Sequence, residues 1–544
     1  MGNRDLPNPR SLSSMCRRAA ILSPPLLPGR RAPSVRLAIC VALSVLASFA
    51  AFVVCRALGV APWMALGATS FFFAGLTWHG HRHLPLGWEA LADEPRRLWM
   101  VGVLGLLLAA LLVGRLSVFM LSPGARDASV EPGSEFLVRH SCLTAYHEAA
   151  RLIDAVPNVY EPTLYRTGVT PRQLDGFNVD FFEYPPQFLL LPRLLSAVTE
   201  DYLTQRSLWF FGVLACFSVG VFGLSAWVGG DRLTSAALLA PSVLLAVPSR
   251  ASLQMGNFQL AALALAVLGM IAFERRRMAL GGALLALTTL TKLFPGVLVL
   301  YLLASRRYRE VSWTLGFALL LTGLAALVFG LHPLESFVSF QLPRLASGEA
   351  FPMLKDVPFA VAINHSIFGV PLKLGLAGAP GMSFAVAAGV TWFYTAALAA
   401  ITVLAARLRL DRAGRARLWL VLLGMAALRS PFLPQHYAVV PALWLFTLLP
   451  IGAPGAEQRA RAQRSRAWPL VLFSAAWLLL NYDLSKEDFE AYSPALSLLY
   501  ATLPQIVHWA LLFGTLALLA RSARQPRSAP ALLSPSPSGV ACDN

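Results

Sequence analysis

The chain has 544 residues, 56% of them hydrophobic and 13% charged, with a mean hydropathy of +0.61. Soluble domains carry roughly 25% charged residues, so this composition excludes a soluble globular enzyme. The formal charge of +17 does not indicate nucleic-acid binding, because Lys and Arg fall in short stretches between apolar runs and not on one basic face.

Residues 1–36 are rich in Arg, Pro and Ser and are expected to form a disordered cytoplasmic tail. The first apolar run, 37–58, exceeds the 7 to 15 residues of a signal-peptide core, which predicts an uncleaved membrane helix. Further runs long enough for a hydrocarbon core about 30 Å thick predict spans near 60–78, 99–121, 207–228, 233–248, 256–273, 311–331, 383–406, 416–431, 436–452, 467–482 and 498–520. Basic clusters at 4–36, 82–97, 275–277, 306–309, 407–417, 459–466 and 521–527 are placed in the cytoplasm by the positive-inside rule. Eleven of the 28 acidic residues fall in 122–206, which predicts a large extracytoplasmic loop; 332–382 is expected to form a second. The expected fold is therefore an all-α polytopic membrane protein of about 12–14 transmembrane helices with both termini cytoplasmic. Its parts are a tail at 1–36, two N-terminal spans and a cytoplasmic loop at 37–98, a membrane domain at 99–520 and a cytoplasmic tail at 521–544.

Residues 278–304 are apolar but flanked by Arg on both sides, with Lys292 and Pro295 at the centre. Two short helices forming a hairpin reconcile those flanks, since irregular backbone at depth requires cover from protein. Residues 185–200 are too short and too Pro-broken to span, and read as an interfacial or re-entrant helix.

The loop 122–206 contains YHEAARLI, NVYEPTLY and DGFNVDFFEYPPQF, a pattern expected of a folded, membrane-apposed segment. Tyr184-Pro185-Pro186 fixes an extended turn that holds Asp180 and Glu183 at the membrane surface, where a carboxylate can act as a base on a hydroxyl. The competing reading is that these acids are solvated or pair with Arg166, Arg172 or Arg193. Lys292, inside an apolar run, either binds a lipid phosphate or snorkels to the surface. Arg115 reads as a snorkelling residue. Arg250, Gln254, Asn257 and Gln259 form a polar step between two spans, and Asn364-His365-Ser366, Arg429, Gln435 and His436 are further polar groups at membrane entry points. The six cysteines contain no C-x-x-C pair, so neither a disulfide framework nor a metal site is implied by their spacing.

The ordered blocks FEYPPQFLLLPRLL, MGNFQLAALALAVLGMIAFERRRMALGGALLALTTLTKLFPGVLVLYLLASRRYR, INHSIFGV and RSPFLPQHY resemble glycosyltransferase family 87 over about residues 99–510. That resemblance implies a GT-C-like fold and a polyprenyl-phosphate-mannose-dependent mannosyltransferase acting at the outer face of the plasma membrane. It implies transfer with inversion to a lipid or glycan acceptor, with a carboxylate of the first loop as base. Family members commonly place an Asp four residues before a Tyr at the start of the first loop helix; here Cys142 stands four residues before Tyr146. The base is therefore expected among Asp180, Glu183, Glu148 and Glu135, with His140 as a non-carboxylate option and Asp180 or Glu183 preferred. Arg250, Asn257, Gln259 and Lys292 become candidates for the donor phosphate, and Asn364, His365, Gln435 and His436 for the cavity rim. No D-x-D motif or phosphate-cradling Gly loop is present, so no metal, nucleotide sugar or other cofactor is required. The expected partners are membrane lipid, the lipid-linked donor and the acceptor, without nucleic acid. Two other classes stand beside this reading: a secondary transporter, which needs polar groups at mid-depth, and a non-catalytic polyprenyl-lipid-binding scaffold.

Overall fold

A computed structural model of the chain describes residues 96–168, 170–229, 241–448, 479–481, 486–491 and 493–524. The tail 1–36, the spans expected at 37–58 and 60–78, and most of the 467–482 span and the 521–544 tail lie outside the described residues. The described chain is predominantly helical, and its only ladders are two short hairpins. Four helices are long and apolar enough to cross a membrane, Tyr202–Val228, Tyr308–Phe329, Phe384–Ala405 and Pro494–Ala523, and a bent pair, Val247–Gln254 with Gln259–Glu274, supplies a fifth if counted as one span. Leu319, Leu327 and Phe393 are 74%, 83% and 79% exposed on two of these helices, as expected of surfaces that face lipid chains.

The first described helix, α1 (Arg96–Leu121), leads into the long loop. Within the loop lie α2 (Cys142–Leu152), the hairpins β1 (Arg166–Thr167) with β2 (Thr170–Pro171) and β3 (Gln173–Leu174) with β4 (Phe177–Asn178), and α3 (Leu190–Val198). Asp175 and Gly176 turn the second hairpin with φ of 48° and 83°, the left-handed pair that a two-residue hairpin connection requires. The segment 185–200 forms a 3-10 turn followed by α3, whose Leu194 and Val198 project from its surface at 66% and 70% exposure. The loop returns to α4 (Tyr202–Gly229), where buried Arg206 donates to the carbonyls of Phe119 and Met120 at 3.1 and 3.0 Å. That cation thereby caps the open C-terminal turn of α1 and closes the loop at its base.

The polar step at 249–260 is not a turn between two straight spans. Ser249 to Gln254 lie within α5 (Val247–Gln254), and the chain bends by 109° into α6 (Gln259–Glu274) across Met255 to Phe258. Gly256, at φ +67°, makes the bend, and the freed carbonyls are satisfied from the loop and from α4: Cys142 N–H donates to Met255 O at 2.7 Å and Trp209 Nε1 to Gly256 O at 2.7 Å.

The segment 278–304 resolves into α7 (Met278–Lys292) and α8 (Gly296–Ala304), broken at Leu293 with φ 54° and at Pro295. α7 rises about 22 Å over its 15 residues and carries Lys292 to the loop; α8 returns to the Arg306 turn, and α9 (Tyr308–Phe329) rises beside α7. The hairpin is therefore deep, and the basic turns share one face, where Glu274 binds Arg307 at 2.7 Å and Arg415 at 3.0 Å. Further described helices include α10 (Gly369–Leu376), α11 (Phe384–Ala405), α12 (Arg412–Ala427), α13 (Val440–Leu448), a short α14 (Lys486–Ala491) and α15 (Pro494–Arg524). Contact between helices relies on small residues: a Cβ on Gly220 would stand 2.6 Å from Ala264 Cβ, and one on Gly282 2.7 Å from the Trp313 backbone.

Candidate active site

The loop and the broken helices meet at the start of α2. Cys142 is the first residue of that helix, and its amide is anchored on the bend between α5 and α6. His140 precedes it in extended backbone and bridges to Asn178, which brings Asp180 alongside. His140 Nε2 lies 3.6 Å from Cys142 Sγ and 3.7 Å from Asp180 Oδ2. Burial lowers the His140 pKa, but Cys142 and Asp180 outweigh it and the imidazole is pushed up to about 9. Asn257, from the bend, donates Nδ2–H to Cys142 Sγ at 3.4 Å, and its Oδ1 accepts from the Gln259 amide at 3.0 Å. Tyr437 Oη stands 3.4 Å from the same sulfur and 3.2 Å from Met255 Sδ.

The second half of the site is built by the Tyr184-Pro185-Pro186 turn. Pro185 is extended at ψ 146°, Tyr160 Oη donates to Tyr184 O at 3.0 Å, and the Tyr184 ring packs edge-on against Tyr146 and Phe188 at 5.4 Å each. Lys292 Nζ donates to Tyr184 Oη at 2.9 Å and lies 4.0 Å from the ring centroid, a cation–π contact in a desolvated setting. Burial pushes the neighbouring Glu183 carboxyl well above the usual carboxylate range, and the Asp180 charge adds to this; the Lys292 ammonium opposes it, Cys142 reinforces it and Arg344 opposes it. Glu183 and Arg344 also line a small cavity of about 20 Å³, room for about one water, with Tyr160, Phe182 and Gln341. A larger cavity, about 410 Å³, lies at the opposite, basic face; its Glu274 and Glu310 are both paired with Arg307, which leaves no free carboxylate there for base chemistry.

The structure therefore gathers Asp180, Glu183, His140, Asn257 and Lys292 around Cys142, Tyr184 and Tyr437. Other residues expected at the site are engaged elsewhere. Glu148, 3% exposed, is held by Arg151 at 3.2 Å and Arg172 at 3.1 Å, and Glu135 pairs with Arg126 and Arg139. Arg250 Nε donates to Leu245 O at 3.2 Å. Outside the expected site, Arg115, read as a snorkelling residue, binds the carbonyls of Asp127 and Ser129, and Gln254 ties Leu137 and Val130 to α5. Gln259, the first residue of α6, is buried directly after the bend.

The Asn364-His365 segment is a structural pin. Asn364 accepts from the Ser366 and Leu433 amides and donates to Pro431 O, while His365 O accepts from Gln505 and Trp509. Burial, then the Lys373, His508 and His436 charges, push the His365 pKa well below that of a free imidazole. His436 is buried next to Tyr437, with its carbonyl bound by Ser252 Oγ at 2.6 Å.

Tyr437 and Arg344 were missed by sequence reasoning. Tyr437 directly follows His436 in the quoted FLPQHY block and was within reach of it; Arg344 carries no local signal, because only tertiary packing brings it beside Glu183.

Residues 181–431 match glycosyltransferase family 87; the match supports membership of the chain in that family, which implies a membrane glycosyltransferase. The matched segment contains Glu183, Tyr184, Asn257 and Lys292, whereas His140, Cys142 and Asp180 precede it and Tyr437 follows it. No curated protein and no solved structure matches the chain.

Proposed function

We propose that this membrane glycosyltransferase moves mannose from a polyprenyl-phosphate donor to a hydroxyl of a lipid or glycan acceptor. The observation that carries the reading is the half-buried ammonium of Lys292 set beside the loop carboxylates Asp180 and Glu183. Lys292 faces the donor phosphate and stabilises the charge that develops on it, in a setting where water screens little. Glu183 accepts the acceptor's hydroxyl proton; a raised carboxyl affinity for protons suits a base working near neutral pH. The acceptor oxygen then bonds to the anomeric carbon as the bond to the phosphate oxygen breaks. The electron pair leaves on the polyprenyl phosphate, the proton stays on Glu183, and attack from the opposite face inverts the centre.

In this reading the shared basic face is cytoplasmic, by the positive-inside rule, the site faces the outer side of the plasma membrane and both termini are inside. The ligands of the reading are the lipid-linked sugar, its acceptor and surrounding lipid. The test is label transfer from radiolabelled polyprenyl-phosphate mannose by the protein in lipid nanodiscs, with host lipid and glycan extract as acceptor. Glu183→Gln is expected to lower turnover by about 10²–10⁴-fold with donor binding retained. Full turnover in both Asp180→Asn and Glu183→Gln, or no release of polyprenyl phosphate by the unaltered chain, overturns the reading.

A further inference from the structure

The step just described uses no sulfur, yet Cys142 is held at the centre of the site. We propose that His140 Nε2, Cys142 Sγ and the Asp180 carboxylate bind a zinc-class divalent cation, leaving one coordination position open to the substrate hydroxyl.

The separations fit the ion. With bonds of about 2.3 Å to sulfur and about 2.0–2.1 Å to nitrogen and oxygen, tetrahedral coordination sets S···N and S···O near 3.6 Å and N···O near about 3.4 Å. The structure has 3.6 Å for S···N and 3.7 Å for N···O, and the three donor atoms all lie within 4.8 Å of one another. Rotation of the Asp180 carboxylate, which is 34% exposed, closes the remaining edge. Its Oδ1 already accepts from the Phe181 amide at 3.0 Å, which leaves Oδ2 directed at the cluster.

A thiol–imidazole–carboxylate relay does not fit the same atoms. Such a relay needs the thiol and the carboxylate on opposite ring nitrogens. Here both face Nε2, so the three donors converge on one point. Mixed sulfur, nitrogen and oxygen donors select zinc-class ions over magnesium or calcium, which take oxygen. Asn257 Nδ2–H and Tyr437 Oη, each 3.4 Å from the sulfur, supply the outer hydrogen bonds that orient a metal-bound thiolate. Three protein ligands with a fourth position open is the arrangement of a catalytic zinc, which lowers the pKa of an oxygen bound there.

Use of the open position rests on the glycosyl-transfer reading; cation binding does not. The test uses the full chain in nanodiscs with Cys16, Cys40, Cys55, Cys216 and Cys542 replaced by Ser, stripped of metal and titrated with Co²⁺. Expected are one cobalt per chain, a thiolate-to-cobalt charge-transfer band, tetrahedral d–d absorption and displacement by Zn²⁺. Cys142→Asp is expected to retain the d–d absorption and lose the charge-transfer band. Asn257→Ala and Tyr437→Phe are expected to weaken cobalt binding by about 10–100-fold. Absence of a charge-transfer band in folded protein overturns the site, as does a band that persists in both His140→Ala and Asp180→Asn. Label transfer measured on the same samples separates the two ideas: transfer without cobalt uptake refutes the cation site alone, and cobalt uptake without transfer refutes the transferase reading alone.

Discussion

Lys292 Nζ and Tyr184 Oη lie 2.9 Å apart across 108 residues of sequence, and that contact joins the tip of a membrane hairpin to the loop above it. It makes Lys292 part of the same wall as Glu183 and Asp180. A lysine that merely snorkelled to the basic face would point the other way, towards Arg277 and Arg307.

Removing the ammonium tests what that contact is for. Lys292→Met is expected to lower kcat/KM for polyprenyl-phosphate mannose by about 10²–10³-fold, the scale of losing one group that stabilises developing charge. Tyr184→Phe keeps the ring under the cation and is expected to cost less. Steady-state label transfer compares the two, and equal losses would assign Lys292 to loop positioning instead of the phosphate.

The pH profile should report Glu183. A base must be deprotonated to act, and this carboxyl is held above the usual value of about 4.3, so kcat/KM is expected to fall as pH drops through a point higher than that. The neighbouring charges set where. Asp180→Asn removes a like charge and is expected to move the acidic limb to lower pH, while Lys292→Met and Arg344→Met remove opposing charges and move it up; Cys142 adds to the raised value. Initial rates across pH in the four proteins check the signs.

Glu148 is expected to affect stability before catalysis. Its carboxylate is buried, 3% exposed, against Arg172 and Arg151, both partly open to solvent. Glu148→Gln is expected to cost about 1–3 kcal/mol of loop stability, after allowance for the exposure of both arginines. A thermal unfolding scan in nanodiscs measures this; unchanged unfolding with a collapsed kcat would return Glu148 to the chemistry.

Gly282 controls the approach of α7 to α9. A side chain there meets the Trp313 backbone, which cannot swing away as a flexible side chain would. Gly282→Leu is expected to destabilise the pair by about 1–3 kcal/mol and to lower activity through Lys292, carried ten residues further along the same helix. Thermal unfolding and donor affinity should fall together.

The membrane class, the long spans and the hairpin at 278–304 were legible because apolar run length and Arg flanks act locally and additively. The placement of Asp180 and Glu183 beside one turn was legible because Tyr-Pro-Pro constrains its neighbours within a few residues. The depth of the hairpin was not, since nothing local to Lys292 says that Tyr184 will receive it. The 249–260 segment reads as one polar step between two spans because its polar side chains are close in sequence; the structure spreads them over α5, a bend and α6, with only the Asn257 side chain reaching Cys142. Asp175-Gly176, a strong hairpin signal, was absorbed into a loop reading because two-residue strands lack the alternation that marks longer ones.

The bend at Gly256 also dictates an order of biogenesis. The carbonyl that receives the Cys142 amide belongs to Met255, and the side chain that reaches the Cys142 sulfur belongs to Asn257, 115 residues downstream. Until the ribosome has delivered that stretch, the start of α2 lacks the carbonyl and the side chain that anchor it, although Arg206 can already close the base of the loop. A chain ending before Met255, or the loop expressed as a separate fragment, lacks both partners that fix Cys142.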